Sequence, residues 1–252
     1  MKKQIILMSC WPRSGGTLLN KILVKSNEII MLSEINLKYK SDNERYTIRW
    51  QLSNWYNINP PKNLGDIELL KYASKFSNKL IVLRGYNFID FTPSIFNKFK
   101  PNKKLNNLNI LSKYFNVKHF SFNRKPIDIY RSMATSSHKI EDPDFIFYKE
   151  NINELIKNNV KLFHYEDLCR NEIKFIKNLF YFIGLKFKST LLINLDNQKI
   201  LGDILPTNNS RAYNKKKIIQ LKDKPITKIL DQKLLATLED ISNDVSTYSN
   251  HI

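Results

Sequence analysis

The stretch Ile5-Ile6-Leu7-Met8-Ser9-Cys10-Trp11-Pro12-Arg13-Ser14-Gly15-Gly16-Thr17-Leu18-Leu19-Asn20-Lys21-Ile22-Leu23 decides how the rest of the chain is read. Its first six residues form a short apolar run, the pattern of a strand buried on both faces. From Thr17 the apolar residues return at helical spacing, so residues 10–16 form a turn between a strand and a helix. At such a junction the backbone N–H groups of a Gly-containing turn and the unsatisfied helix N-terminus converge on one point. An anion there gains hydrogen bonds and the positive end of the helix dipole. Thr17 adds a hydroxyl donor and Arg13 a fixed positive charge. A nucleoside-triphosphatase loop requires Gly-Lys-Ser/Thr at the helix start. Here the cation precedes the glycines and Leu18 follows Thr17, which disfavours that class. A Gly-containing turn without a ligand is the alternative for this segment taken alone.

Further along, Leu80 to Leu83, Val117 to Phe122 and Val160 to Phe163 read as strands, and Met31 to Ser33 ends a second apolar run. Between them lie helical patterns at Ile67 to Phe76, Ile127 to Ser136 and Asp167 to Ile183. Strands alternating with helices predict an α/β fold, a single domain over residues 1–252 with a parallel β-sheet flanked by helices. Residues 38–64, 85–106 and 194–225 are read as loops or lids, and a last helix is expected over Thr227 to Asn243.

The chain has 252 residues, 42% of them hydrophobic, enough for one sizeable core. The basic tip Met1-Lys2-Lys3 and the apolar run after it suggest a signal peptide. The run, however, enters Trp11-Pro12-Arg13 without a small-residue cleavage site, and is therefore taken as a strand. No run is long enough for a transmembrane helix. The two cysteines, Cys10 and Cys169, imply no disulfide framework, so a reducing, cytoplasmic setting is expected. The formal net charge of +18 raises nucleic-acid binding. Neither a basic tail nor a nucleic-acid signature accompanies it, and spread lysines on solvated faces account for it. His119, His138, His164 and His251 lack metal-ligand spacing, so no metal is expected.

A second turn repeats the logic of the first. In Phe122-Asn123-Arg124-Lys125-Pro126-Ile127-Asp128-Ile129-Tyr130-Arg131-Ser132 a strand ends, Pro126 suits a first helical turn, and Asp128 suits the dipole. Arg124 and Ser132 are placed to hold a phosphate from two sides.

Pro12-Arg13-Ser14-Gly15-x-Thr17 resembles the 5′-phosphosulfate loop of sulfotransferases that use PAPS (3′-phosphoadenosine-5′-phosphosulfate), with Gly16 where that family usually has a hydroxyl residue. Arg124-x-x-x-Asp128-x-x-x-Ser132 resembles the family's 3′-phosphate motif, and Tyr165-Glu166-Asp167-Leu168 and Phe182-Ile183-Gly184-Leu185 resemble later family segments. The likeness runs from about residue 4 to 187 and implies a fold of the P-loop nucleotide-binding type. It implies that Arg13, Ser14, Gly15, Gly16, Thr17, Leu18, Arg124, Ser132 and Tyr165 bind the nucleotide. Ser210 and Arg211, in the tail, are further candidates to cover it.

By the same resemblance the reaction is an in-line transfer of a sulfuryl group from PAPS to an acceptor hydroxyl. Arg13 and Arg84 are expected at the sulfonate, and Glu34, 21 residues after Arg13 at the end of the second apolar run, as general base. A surface Glu at a loop start is the other reading of Glu34. Flat aromatic faces in 38–56 suit sugar stacking, hence a carbohydrate or glycolipid-type acceptor, although core packing is the commoner fate of such residues. A P-loop kinase and a non-catalytic nucleotide- or glycan-binding module of the same fold are the alternatives.

Overall fold

A computed structural model describes residues 2–92, 101–134, 143–192, 236 and 238–243. The elements in order are β1 (Gln4–Cys10), α1 (Gly16–Val24), β2 (Ile29–Ile35), α2 (Ile48–Tyr56), α3 (Asp66–Phe76), β3 (Leu80–Gly85), α4 (Phe88–Phe91) and α5 (Asn106–Leu111). They continue with β4 (Asn116–Asn123), α6 (Pro126–Ala134), α7 (Pro143–Lys157), β5 (Lys161–His164), α8 (Tyr165–Arg170) and α9 (Glu172–Ile183). The strands form one sheet in the order β2-β3-β1-β4-β5, every pairing parallel. The chain leaves β1 toward one edge and returns to fill the other, so the sheet reverses direction at β1. A ligand crevice is expected at the C-terminal end of that strand.

Period-two alternation sends neighbouring residues of each strand to opposite faces. Ile6, Met8 and Cys10 of β1 face a core with Leu19, Ile22 and Leu23 of α1 and Phe175, Leu179 and Phe180 of α9. Ile5 and Leu7 face the other side, with Leu52 of α2 and Leu69 and Leu70 of α3. A third cluster joins Trp11, Phe91, Ile129, Tyr148 and Leu162 with Leu238 and Ile241. Helices on both faces explain why the strands read as continuous apolar runs.

Three expected elements differ, the first being the presumed loop 85–106, which contains α4. Part of the presumed loop 38–64 is α2, capped by Thr47, whose hydroxyl accepts from Trp50 N, and closed by Asn57 at φ 53°. The single helix expected over 167–183 is two helices. They are separated at Asn171, whose side chain accepts from Lys174 N and starts α9. Of the last helix expected over 227–243, residues 236 and 238–243 are described; of these, 236 and 238–243 are helical. The loop expected over 194–225 lies outside the described residues, as do residues 93–100.

Candidate active site

The β1–α1 turn is fixed at both ends. Trp11 is buried, edge-on to Phe88 (centroids 5.0 Å apart) and tilted against Tyr148 (5.1 Å). Leu19 N donates to Gly15 O (3.2 Å), beginning the helix. Arg13 (φ 66°) and Gly15 (φ 93°) take left-handed backbone, and Ser14 N donates back to Trp11 O (3.2 Å), which closes the turn. Gly15 is required on two counts, because a Cβ there would also stand 2.7 Å from the Tyr165 ring. Ser14 is fully buried, and its Oγ has no hydrogen-bond partner among the described residues. Thr17 and Leu18 lie half-buried in the first turn of α1.

On one side of this turn stands Arg124, at the exit of β4. It is 5% exposed, its guanidinium lies 4.6 Å from the centroid of the Tyr165 ring, and its Nη1 donates to Arg13 O (3.3 Å). Its backbone carbonyl accepts from Tyr148 Oη (3.1 Å). Arg124 Nε and Nη2 have no hydrogen-bond partner among the described residues. A buried guanidinium with two unused donors is costly, and an anion is the group that removes that cost. Ser132, on the inner side of α6, accepts from Arg13 Nε (3.1 Å). Arg13, expected at the sulfonate, is thus placed on the Arg124 side of the turn.

On the other side are Glu34 and Arg84. β2 pairs Leu32 with Leu83 and Ile35 with Gly85, so Ser33 and Glu34 together oppose the single residue Arg84 in a β-bulge. Glu34 has φ 57°, left-handed backbone that a glutamate rarely adopts. Its Oε1 lies 3.5 Å from Arg84 Nη2, both side chains largely buried. Arg84 Nε donates to Cys10 Sγ (3.0 Å). The Asn20 amide sits so that Oδ1 accepts from Arg84 Nη1 (3.0 Å) and Ser33 Oγ (2.8 Å) and its nitrogen donates to Gly16 O (3.3 Å). The reverse orientation would set donors face to face. A Cβ on Gly16 would lie 2.6 Å from Cys10 Sγ and 3.2 Å from Arg84 Nη2. The glycine at that position therefore makes room for the Arg84 guanidinium at the N-terminus of α1.

Tyr46 and Tyr86 border Glu34. Burial, and then the Glu34 charge, push the Tyr46 phenol up and the Tyr86 phenol up to about 12, so both remain hydroxyl donors at neutral pH. Burial pulls His119 down to about 3, and it is bonded through Nε2 to Ser9 Oγ (2.7 Å) inside the sheet, remote from a base's task. His138, His251, Ser210 and Arg211 lie outside the described residues. Among the described residues no cluster of three or more His, Cys, Asp and Glu side chains could hold a metal.

The sequence reading missed Tyr46, Tyr86, Asn20 and Cys10 as neighbours of the site. Cys10 and Asn20 flank the Gly-containing turn and could have been found there; Tyr46 and Tyr86 carry no local signal.

Neither a family model nor a curated protein sequence matches the chain. Solved structures do. A sulfotransferase domain of the Synechococcus PCC 7002 olefin synthase superposes with a TM-score of 0.66 at 17% identity, over 96% of this chain and 96% of that one. The chain has the sulfotransferase fold. A sulfotransferase domain from the curacin biosynthetic pathway agrees, with a TM-score of 0.60 at 17% identity over 97% of this chain and 98% of that one. Mouse sulfotransferase SULT7A1, solved in complex with PAP, gives 0.50 at 10% identity over 97% of this chain and 85% of that one. In this sulfotransferase fold the β1–α1 turn, the β4–α6 turn and the end of β2 meet at one end of the sheet. Among the described residues no helix is long and apolar enough to cross a membrane.

Proposed function

We propose that the chain is a sulfotransferase that moves a sulfuryl group from PAPS to an acceptor hydroxyl. The observation that carries this is Arg124, buried against Tyr165 with Nε and Nη2 lacking hydrogen-bond partners among the described residues, beside Ser132 and the Gly15 turn. A 3′-phosphate supplies the acceptors those donors lack. Ser14, Gly15, Gly16, Thr17 and Leu18 take the 5′-phosphosulfate at the N-terminus of α1. The PAP bound by mouse SULT7A1, a neighbour of the same fold, supports this choice of nucleotide.

The acceptor oxygen attacks sulfur as its proton passes to the Glu34 carboxylate. The bond between sulfur and the 5′-phosphate oxygen breaks, and its electron pair stays on that oxygen. The products are a sulfate ester and adenosine 3′,5′-bisphosphate. Arg84, at the helix start beside Glu34, offsets charge building on the transferring group. The acceptor meets Tyr46 and Tyr86 at Glu34. A carbohydrate or glycolipid-type hydroxyl remains the acceptor class for which the 38–56 aromatics speak, with Tyr56 excepted because its hydroxyl is bonded to the β2 backbone.

The test is a thermal-shift titration with adenosine 3′,5′-bisphosphate, ATP and AMP on the wild type and Arg124→Ala. The bisphosphate is expected to stabilise selectively, and the effect to vanish in the variant. Stabilisation by ATP with Mg²⁺, matched by phosphoryl transfer, would replace this reading with a kinase. No response to any of the three would end it.

A further inference from the structure

Glu34 sits in left-handed backbone on an edge strand, a conformation a glutamate keeps only if its surroundings impose it. Two buried amide side chains bracket it. From α2, Gln51 Oε1 accepts from Ser33 N (2.7 Å) and Gln51 Nε2 donates to Ser33 O (2.8 Å). From α5, Asn107 Oδ1 accepts from Leu37 N (2.8 Å) and Asn107 Nδ2 donates to Ile35 O (2.7 Å). Gln51 is 0% and Asn107 1% exposed. Each amide therefore grips the backbone at two points, one just before Glu34 and one just after it.

Each amide is itself supported. Gln51 Nε2 makes a further bond to Arg45 O (2.9 Å), and Tyr56 on the same helix bonds Met31 N and O two residues earlier on β2. Together these two side chains give the open edge of the sheet the partners that another strand would provide. Asn107 lies across Gly85, where a Cβ would approach its Nδ2 to 2.9 Å, so the glycine leaves the space the amide uses. Asn36, between the two backbone points that Asn107 holds, donates to the buried Asp90 carboxylate (3.0 Å).

We infer that Gln51 and Asn107 are positioning residues for the general base. They hold the bulge of β2 in the one backbone state that turns the Glu34 carboxylate toward Arg84 and the N-terminus of α1. This rests on the proposed role of Glu34 for its catalytic meaning, but the mechanical part stands or falls separately.

The experiment compares Glu34→Gly with Glu34→Ala in the wild-type and Gln51→Leu backgrounds. Both replacements remove the carboxylate, so their difference reads only the cost of a Cβ in left-handed backbone. In the wild-type background the Gly form is expected to melt roughly 2–4 °C above the Ala form. With Gln51→Leu the difference collapses, because the backbone is free to leave that state. An unchanged difference, or none in the wild-type background, overturns the proposal. Should Gln51→Leu not fold, Gln51→Glu and Asn107→Asp, each of which replaces an amide donor by an acceptor, serve in its place with the same two outcomes. A second arm measures bisphosphate released from PAPS. Gln51→Glu is expected to lower its rate at least tenfold with bisphosphate affinity unchanged, since misplacing a base by about 1 Å has effects of that order. An unchanged rate also overturns the proposal. A wild type that binds no bisphosphate and releases none refutes the proposed reaction instead, and leaves the Gly–Ala comparison to decide the clamp.

Discussion

Glu34 and Gly16 are the residues whose chemistry is most exposed to single changes. Glu34→Gln keeps the shape of the side chain and removes its capacity to take a proton. Turnover of PAPS is expected to fall by about 10²–10⁴-fold, the usual span for a general base, while calorimetric affinity for the bisphosphate stays near the wild-type value. A parallel loss of both would assign Glu34 to nucleotide binding. At Gly16, the hydroxyl residue common in similar loops does not fit this chain, because Cys10 Sγ and the Arg84 guanidinium occupy its space. Gly16→Ser is expected to lower stability by about 1–3 kcal/mol through overpacking, with part of the loss recovered in Cys10→Ala/Gly16→Ser. Urea unfolding of the two variants checks this, and equal stability of both would show that Cys10 is not the obstacle. At this scale the sequence reading located the turn and flagged Gly16 as a departure, while the reason for the departure lay in Cys10 and in Arg84, the latter 68 residues away.

Between elements, the centre of the sheet is tied by polar side chains. Ser9 on β1 receives the Asn87 amide (2.6 Å) and bonds His119 on β4 (2.7 Å). The direction of the Ser9–His119 bond follows the ring's tautomer, and burial keeps that ring neutral when folded. Its folded pKa of about 3 lies below the ordinary value of 6.5, because burial opposes the charged ring. Between those values the unfolded chain binds the proton and the folded chain does not. Stability from this group is therefore complete above pH 6.5 and declines as pH falls toward 3, by at most about 1.4 kcal/mol per pH unit. Unfolding free energies measured from pH 7 to 5 are expected to drop more steeply for the wild type than for His119→Asn. Identical slopes would remove His119 as the cause. The helices were less legible than the strands. α2 buries only Ile48, Gln51 and Leu52, two apolar side chains and an amide among Arg, Trp, Asn and Tyr. Its residues are fixed by bonds to β2 that no sequence window contains.

Across the whole molecule, the charge of +18 sets a positive field in which an anionic nucleotide associates. Screening shortens the reach of that field to about 10 Å at 0.1 M salt and 3 Å at 1 M. Bisphosphate affinity is expected to weaken roughly three- to tenfold between 0.05 M and 0.5 M NaCl, with the Arg124 contacts, which are buried, supplying the part that salt leaves intact. Isothermal titration across that range checks it, and an affinity independent of salt would confine the attraction to the buried site.

The sequence by itself determined the alternation of strands and helices and the position of the two turns proposed to hold the nucleotide's phosphates. Those features follow from local physics: unbroken apolar runs, the φ freedom of Gly15, and Pro126 at a helix start. The family resemblance also singled out Glu34, Arg84, Arg124 and Ser132 as candidates. Only the tertiary structure decided how they are grouped. Arg13 turns to Ser132, whereas Arg84 turns to Glu34, because each guanidinium goes to the buried partner that packing leaves within reach. Likewise the left-handed state of Glu34 is imposed by Gln51 and Asn107 through bonds spanning 18 and 70 or more residues. Contacts of that range exist only once the sheet has closed, which is why no stretch of sequence announces them.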